Sequence, residues 1–171
     1  MKRILFYIFL YIGLCILQFS FGQFLSVGGV FPNFILIAIV FVALFDGQTP
    51  AELLGFALGL TWDAFSTDVF GVRAVLFASL GYFLGMLRNS FERDQLFAQF
   101  SVVLFSCVVF WAGFSVIITI LPEGTSGAAP FEITLTGVLK VVVTVILTPI
   151  VFAILKKMLP RRKSYWHEDD F

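Results

Sequence analysis

Six stretches of apolar residues alternate with short polar segments along the 171-residue chain. The stretches cover about residues 4–25, 32–45, 50–66, 69–87, 96–121 and 133–159, and a polar tail of residues 161–171 follows. A run of about 20 apolar residues is long enough to cross a bilayer as a helix. The pattern therefore predicts an all-α membrane protein whose six transmembrane helices form one compact bundle over residues 1–160.

The first two runs raise separate questions. Lys2 and Arg3 precede the first run, but residues 18–23 (QFSFGQ) do not resemble the small-residue cleavage site of a signal peptide, so we expect a retained helix. The second run has only about 14 residues. Its helix either tilts little, extends into the flanking turn or is partly shielded by its neighbours, and Pro32 suits its first position.

Composition supports the membrane assignment. Hydrophobic residues make up 60% of the chain and charged residues 13%, with a mean hydropathy of +1.01. Soluble domains have close to half apolar and a quarter charged residues. The two cysteines, Cys15 and Cys107, lie inside apolar runs, which favours packing over a disulfide or a metal site.

The basic residues are distributed unevenly between the two sides predicted for the membrane. Nine of the eleven fall at the termini or in the loop after the fourth run, so these segments are expected in the cytoplasm. The two exceptions are Arg73 and Lys140, whose long side chains can reach the opposite interface. Treating residues 53–88 as a single re-entrant element would leave five spans and contradict this distribution. The nine residues are Lys2, Arg3, Arg88, Arg93, Lys156, Lys157, Arg161, Arg162 and Lys163.

Small residues mark the third and fourth helices. Gly55 and Gly59 are four residues apart on the third helix, and a stripe at alternating spacings of three and four follows on the fourth. Such residues let helix backbones approach closely in lipid. We expect most of the stripe to pack within the chain, although a partner helix is the alternative. The stripe consists of Gly71, Ala74, Ala78, Gly81 and Gly85.

Asp63 and Arg73 flank the turn between these two helices. Charged residues at membrane depth are costly, so they are usually paired or face a cavity. One interpretation is a polar determinant for a ligand or partner. The interpretation that we favour is an intramolecular pair, or an aspartate that helps to terminate a helix at the interface.

Two further polar groups have structural explanations. Thr49, Pro50 and Glu52 match a capping box at the start of the third helix, which we favour over a transport or catalytic role for Glu52. Lys140 is expected to extend toward the interface near Glu123 and Glu132, and Pro149 is expected to kink the sixth helix.

Catalytic and cofactor patterns are missing from the sequence. His167 is the one histidine and lies in the polar tail, and neither a zinc-ligand spacing nor a phosphate-binding glycine loop is present. Glu52 and Asp63 would lie about 16 Å apart on one helix, too far to share a substrate atom. We therefore expect no enzymatic activity, no cofactor, no metal and no nucleic-acid partner.

The polar and small residues resemble a known family. Pro32-Asn33, Asp46-Gly47, the series Gly55, Gly59 and Asp63 at four-residue spacing, Gly71, and the Gly81/Gly85 pair look like MreD, the small multispan subunit of the bacterial cell-elongation (Rod) complex. The resemblance is strongest over residues 32–85, and Arg73 has no match in the family pattern.

The resemblance implies a non-enzymatic scaffold in the cytoplasmic (inner) membrane of a bacterium, with both termini in the cytoplasm. Expected partners are an MreC-like bitopic protein and, in lateral wall synthesis, RodA, a class B penicillin-binding protein and MreB. The implied fold is similar to the substrate-binding S components of energy-coupling-factor transporters. A substrate-binding subunit of a vitamin transporter is therefore the alternative. It is less favoured because the predicted outer loops lack a cluster of hydrogen-bonding residues.

Overall fold

A computed structural model of the chain describes residues 2–20, 31–66, 69–90, 96–120 and 135–159. Over these residues the fold is entirely helical, which confirms the all-α prediction. A single 3₁₀ turn, Leu87–Ser90, follows the fourth helix. The α-helices are α1 (Lys2–Phe19), α2 (Phe34–Phe45), α3 (Gln48–Phe65), α4 (Val72–Met86), α5 (Leu96–Ile120) and α6 (Leu135–Met158).

Two of these helices are long and apolar enough to cross a bilayer on their own. The qualifying segments are Phe97–Ile117 in α5 and Gly137–Met158 in α6. Three further apolar segments are shorter, namely Arg3–Phe19, Phe34–Phe45 and Val72–Met86. The predicted end of the first span, beyond residue 20, lies outside the described residues, as do the loop of residues 121–134 and the tail.

The short helix α2 forms the centre of the bundle. Every side chain from Phe34 to Leu44 is buried, and α2 packs against α1, α3, α4, α5 and α6. A helix that is apolar on all sides is typical of a protein interior. Its 12 residues span only about 18 Å. Of the three explanations considered for its length, shielding by neighbouring helices is therefore the one that the structure supports.

The starts of α2 and α3 differ from the sequence-based predictions. Asn33 caps α2 by accepting a hydrogen bond from the Leu36 N–H at 3.0 Å, so α2 begins at Phe34 and Pro32 lies before the cap. Asparagine is among the best N-cap residues because its side-chain oxygen satisfies an otherwise free N–H. The cap, rather than the proline, therefore determines where α2 begins.

The predicted capping box of α3 is not formed. Gly47 is the N-cap residue, makes no side-chain cap bond and has a φ of +103°, a conformation that favours glycine. Only Asp46 and Gly47 separate α2 from α3, so α3 begins at Gln48. Thr49 and Pro50 consequently lie inside the first turn, where the missing N–H of Pro50 loses no helical bond, and Glu52 is exposed.

Helix α1 is attached to α2 at both ends. Asp46 accepts a hydrogen bond from the Tyr7 hydroxyl and lies 3.6 Å from the Arg3 guanidinium. At the opposite end, the Gln18 side-chain oxygen accepts from the Phe34 N–H at 3.1 Å. We refer to these two ends of the bundle as the Asp46 end and the Asp63 end. The contacts place α1 antiparallel to α2 and leave its other face exposed.

Large apolar side chains cover the outside of the bundle. On α1, Ile4 and Phe9 are 65% and 62% exposed, and similar side chains project from α5 and α6. Soluble monomers rarely expose extended apolar surfaces. The outer surface therefore has the character expected of a protein surrounded by lipid or by partner helices.

Candidate functional site at the Asp63 end

The hairpin of α3 and α4 is packed backbone to backbone along its whole length. A Cβ added to Gly55 would lie 2.6 Å from the Phe77 carbonyl oxygen, and one added to Gly81 would lie 2.6 Å from the Ala51 carbonyl oxygen. Both distances are below van der Waals contact. Each helix therefore places glycines against the backbone of the other.

The same arrangement continues toward both ends of the hairpin. A Cβ on Gly59 would overlap the Ala74 backbone, and a Cβ on Gly85 would overlap the Gln48 backbone. Ala74 is fully buried and Ala78 is half-buried, with its backbone next to Gly55. These small residues therefore contact the neighbouring helix of the same chain.

Gly71 has a different role from the rest of the stripe. It is the N-cap residue of α4 and has a φ of +92°, and nothing lies within 4 Å of the position that a Cβ would occupy. The residue is thus needed for the shape of the turn and not for close packing.

Asp63 caps α4 from the end of α3. Its Oδ2 atom accepts hydrogen bonds from the N–H groups of Gly71 at 3.0 Å, Arg73 at 3.1 Å and Ala74 at 3.2 Å. Gly71 has no side chain to satisfy these N–H groups, which would otherwise have no partner in the helix. A carboxylate at this position is also stabilised by the helix dipole. The side chain of Asp63 is 0% exposed.

Arg73 completes the charge balance at this position. Its Nη1 atom lies 3.2 Å from Asp63 Oδ1 and donates to Ser66 Oγ at 2.7 Å. The guanidinium carbon also lies 4.7 Å from the centre of the Phe114 ring and 5.7 Å from that of Trp62. With 12% of its side chain exposed, Arg73 is folded back onto the protein.

A cavity of about 470 Å³ opens beside this pair. It lies where α2, α4 and α6 begin and where α1 and α3 end, and the second half of α5 closes one side. Aromatic rings form much of its wall, contributed by Phe19, Trp62, Phe110, Trp111 and Phe114. Polar and basic side chains complete the lining: Gln18, Asn33, Thr144, Arg73 and Lys140.

Sequence reasoning identified Arg73 and Lys140 but missed the cavity that they share. Lys140 is exposed and forms no ion pair with any described residue, and its expected neighbours Glu123 and Glu132 lie outside the described residues. The aromatic residues come from three separate helices, so no spacing in the sequence connects them. The capping role of Asp63 had a detectable signal, since a helix N-terminus beginning with Gly71 lacks its own cap.

Comparison with known families identifies the chain. The family model for the rod shape-determining protein MreD matches residues 1–158. The chain belongs to the MreD family. Members of this family are shape-determining membrane proteins of the bacterial inner membrane, and family membership fits a role in the rod shape-determining system together with MreC and MreB. No curated protein and no solved structure matches the chain significantly.

The described residues contain no group of three His, Cys, Asp or Glu side chains that could hold a metal ion. Asp63 is occupied by three backbone N–H groups and by Arg73, so its carboxylate has a structural task. The MreD family is one of structural membrane proteins and is not known for enzymatic activity.

Proposed function

We propose that this MreD-family protein is a non-enzymatic scaffold of the lateral wall elongation machinery that binds an MreC-like bitopic protein. The observation that carries the proposal is the family match, which extends over residues 1–158 and so includes all six helices. In this proposal RodA, a class B penicillin-binding protein and MreB are further members of the assembly, and the scaffold supports peptidoglycan synthesis.

Features of the bundle are consistent with a scaffold. Helix α2 is enclosed by the other helices, and α3 and α4 are locked together by the close approach of Gly55, Gly59 and Gly81 to the facing backbone. Such packing favours a rigid body over one that opens and closes during a transport cycle. The apolar outer faces of α1, α5 and α6 are the surfaces available to partner helices.

We further propose six membrane spans with both termini in the cytoplasm. Arg3, Arg88, Lys156 and Lys157 all belong to the helix termini at the Asp46 end, and three more basic residues follow α6 in the sequence. An excess of basic residues is characteristic of the cytoplasmic side. The Asp63 end would then face the opposite side of the membrane.

The proposal is tested by purification of the tagged chain from membranes of its own species. We expect the MreC-like protein to co-purify in a fixed ratio with the parent chain and with Phe9→Leu, which keeps an apolar side chain at an exposed position of α1. Gly81→Leu is expected to lose the partner because leucine cannot fit against Ala51. Failure to recover an MreC-like protein with the parent chain would refute the scaffold proposal.

The cavity favours a second candidate function. A subunit similar to the S components of energy-coupling-factor transporters would need a pocket for its substrate, and a cavity of about 470 Å³ lies within the usual range for small-molecule sites. In that case an ATPase module and a bound vitamin would co-purify in place of the MreC-like partner. The family match favours the scaffold.

A further inference from the structure

We propose that the cavity at the Asp63 end binds the anionic head of a molecule whose remaining part is apolar. The proposal concerns a ligand of the scaffold and does not depend on which partner protein is bound. It rests on three properties of the lining: its free hydrogen-bonding groups are donors, its uncompensated charge is positive, and its walls are aromatic.

The oxygen of each amide side chain in the lining already accepts one hydrogen bond from the protein. Gln18 Oε1 accepts from the Phe34 N–H, and Asn33 Oδ1 accepts from the Leu36 N–H. These bonds define the orientation of both amides, because the NH₂ groups could not accept in the same positions. Within the described part of the chain neither NH₂ group donates a hydrogen bond.

The hydroxyl of Thr144 is also engaged by the protein, as an acceptor and as a donor. Its hydroxyl oxygen accepts from the Asn33 N–H at 3.0 Å while the hydroxyl donates to the Lys140 carbonyl at 2.6 Å. The bonds attach α2 to α6 and use both functions of the hydroxyl. Among the uncharged amide and hydroxyl side chains of the lining, the donors that remain for a ligand are therefore the NH₂ groups of Gln18 and Asn33.

The charged side chains that line the cavity also favour an anionic ligand. Arg73 and Lys140 line the cavity, whereas the carboxylate of Asp63 is 0% exposed and is surrounded by its own donors. The Asp63 charge compensates that of Arg73. Lys140 is exposed and has no ion pair among the residues described, so the described part of the lining carries one positive charge that no described carboxylate balances. A ligand with a carboxylate or phosphate would be complementary to this set.

The aromatic walls of the cavity indicate the character of the rest of the ligand. Phe110 stacks on Phe77 with ring centres 4.6 Å apart, and Phe114 continues the row from Phe110 at 6.2 Å. Trp62 and Trp111 also line the cavity. Such surfaces suit a hydrocarbon or aromatic body and not a fully polar one. Two sources provide this chemistry, namely an anionic bilayer lipid and a soluble organic anion.

The tryptophans allow both sources to be tested by fluorescence quenching. The full chain carrying Trp166→Phe retains only Trp62 and Trp111 of its three tryptophans, and both line the cavity. For the lipid source, the protein is reconstituted in phosphatidylcholine vesicles containing either brominated phosphatidylglycerol or brominated phosphatidylcholine. For the soluble source, 4-bromobenzoate and the neutral 4-bromobenzamide are added to vesicles without brominated lipid.

Lys140→Gln is the test variant and Lys157→Gln is its matched control. Lys157 is also an exposed lysine on α6 but lies about 25 Å away along the helix, at the Asp46 end. Both variants are expected to fold, because neither side chain is packed in the core. Removal of one charged hydrogen bond is expected to weaken binding about tenfold in Lys140→Gln and not in Lys157→Gln.

Two results support the proposal and identify the source. Stronger quenching by brominated phosphatidylglycerol than by brominated phosphatidylcholine, reduced in Lys140→Gln, assigns the site to a lipid. Saturable quenching by 4-bromobenzoate but not by 4-bromobenzamide, weakened in Lys140→Gln, assigns it to a soluble anion. Equal quenching by the charged and neutral members of both pairs, or quenching that Lys140→Gln leaves unchanged, overturns the proposal.

Discussion

Asp63 and Arg73 form one ion pair, yet the structure predicts that they contribute unequally to stability. Asp63→Ala removes the acceptor of three backbone N–H groups as well as the partner of Arg73. Arg73→Met removes the ion pair but leaves the carboxylate with its three N–H donors. The aspartate should therefore be the more costly residue to lose.

The expected losses in free energy of unfolding follow from these contacts. Loss of a helix cap costs about 1 kcal/mol, and breaking a buried pair costs about 3–5 kcal/mol. We take about 4 kcal/mol for Asp63→Ala, since Arg73 is 12% exposed and can shift toward the surface. For Arg73→Met we take about 2 kcal/mol, the size of one hydrogen bond between charged groups. Ser66→Ala, which loses the hydroxyl acceptor of Arg73 and the weak hydrogen bond that this hydroxyl donates to the Asp63 carbonyl, should lower the free energy of unfolding by about 1 kcal/mol.

The assay is equilibrium unfolding of the purified chain in mixed micelles with increasing sodium dodecyl sulfate, followed by tryptophan fluorescence. Trp62 reports on this region directly, because its ring lies 5.7 Å from the Arg73 guanidinium. The expected order of destabilisation is Asp63→Ala, then Arg73→Met, then Ser66→Ala. If Arg73→Met lowers the free energy of unfolding as much as Asp63→Ala does, the cap on α4 does not explain why the aspartate is important for stability.

Three further predictions concern packing, capping and topology. Gly81→Leu should prevent stable folding because its side chain would overlap the Ala51 backbone, whereas Phe9→Leu should change the unfolding midpoint little. Asn33→Ala should lower the free energy of unfolding by about 1 kcal/mol in the same assay, because it removes the acceptor of the Leu36 N–H. Asn33→Asp keeps an acceptor there and should retain most of the stability. Green fluorescent protein fused after the last residue should fluoresce, and alkaline phosphatase there should be inactive; the reverse would place the terminus outside the cytoplasm.

The apolar pattern predicted the helices well because lipid and protein interior both select apolar side chains. The same fact explains why the pattern could not place α2 at the centre. Its residues, 34–45, read like those of a lipid-facing helix, and burial depends on neighbours that are distant in the sequence. Its short length was the one indication, since a helix enclosed by others need not match the bilayer thickness.

The polar residues show that local sequence rules do not determine which helix caps form. Thr49 and Glu52 satisfy the spacing of a capping box, but the two-residue connection at Asp46 and Gly47 starts α3 earlier and leaves the box unused. Asp63 and Arg73 were correctly paired from their positions around the turn. The three N–H bonds to Asp63 depend on how the turn folds, so the spacing alone did not reveal them.

The role of this chain as a structural subunit of the rod shape-determining system can be tested in cells of its own species. The chain is depleted, variants are expressed in its place, and the length and width of the cells are measured. Depleted cells should become round, and the parent chain and Lys157→Gln should restore rods, whereas Gly81→Leu should not. Cells that keep their rod shape after complete depletion would rule out this role.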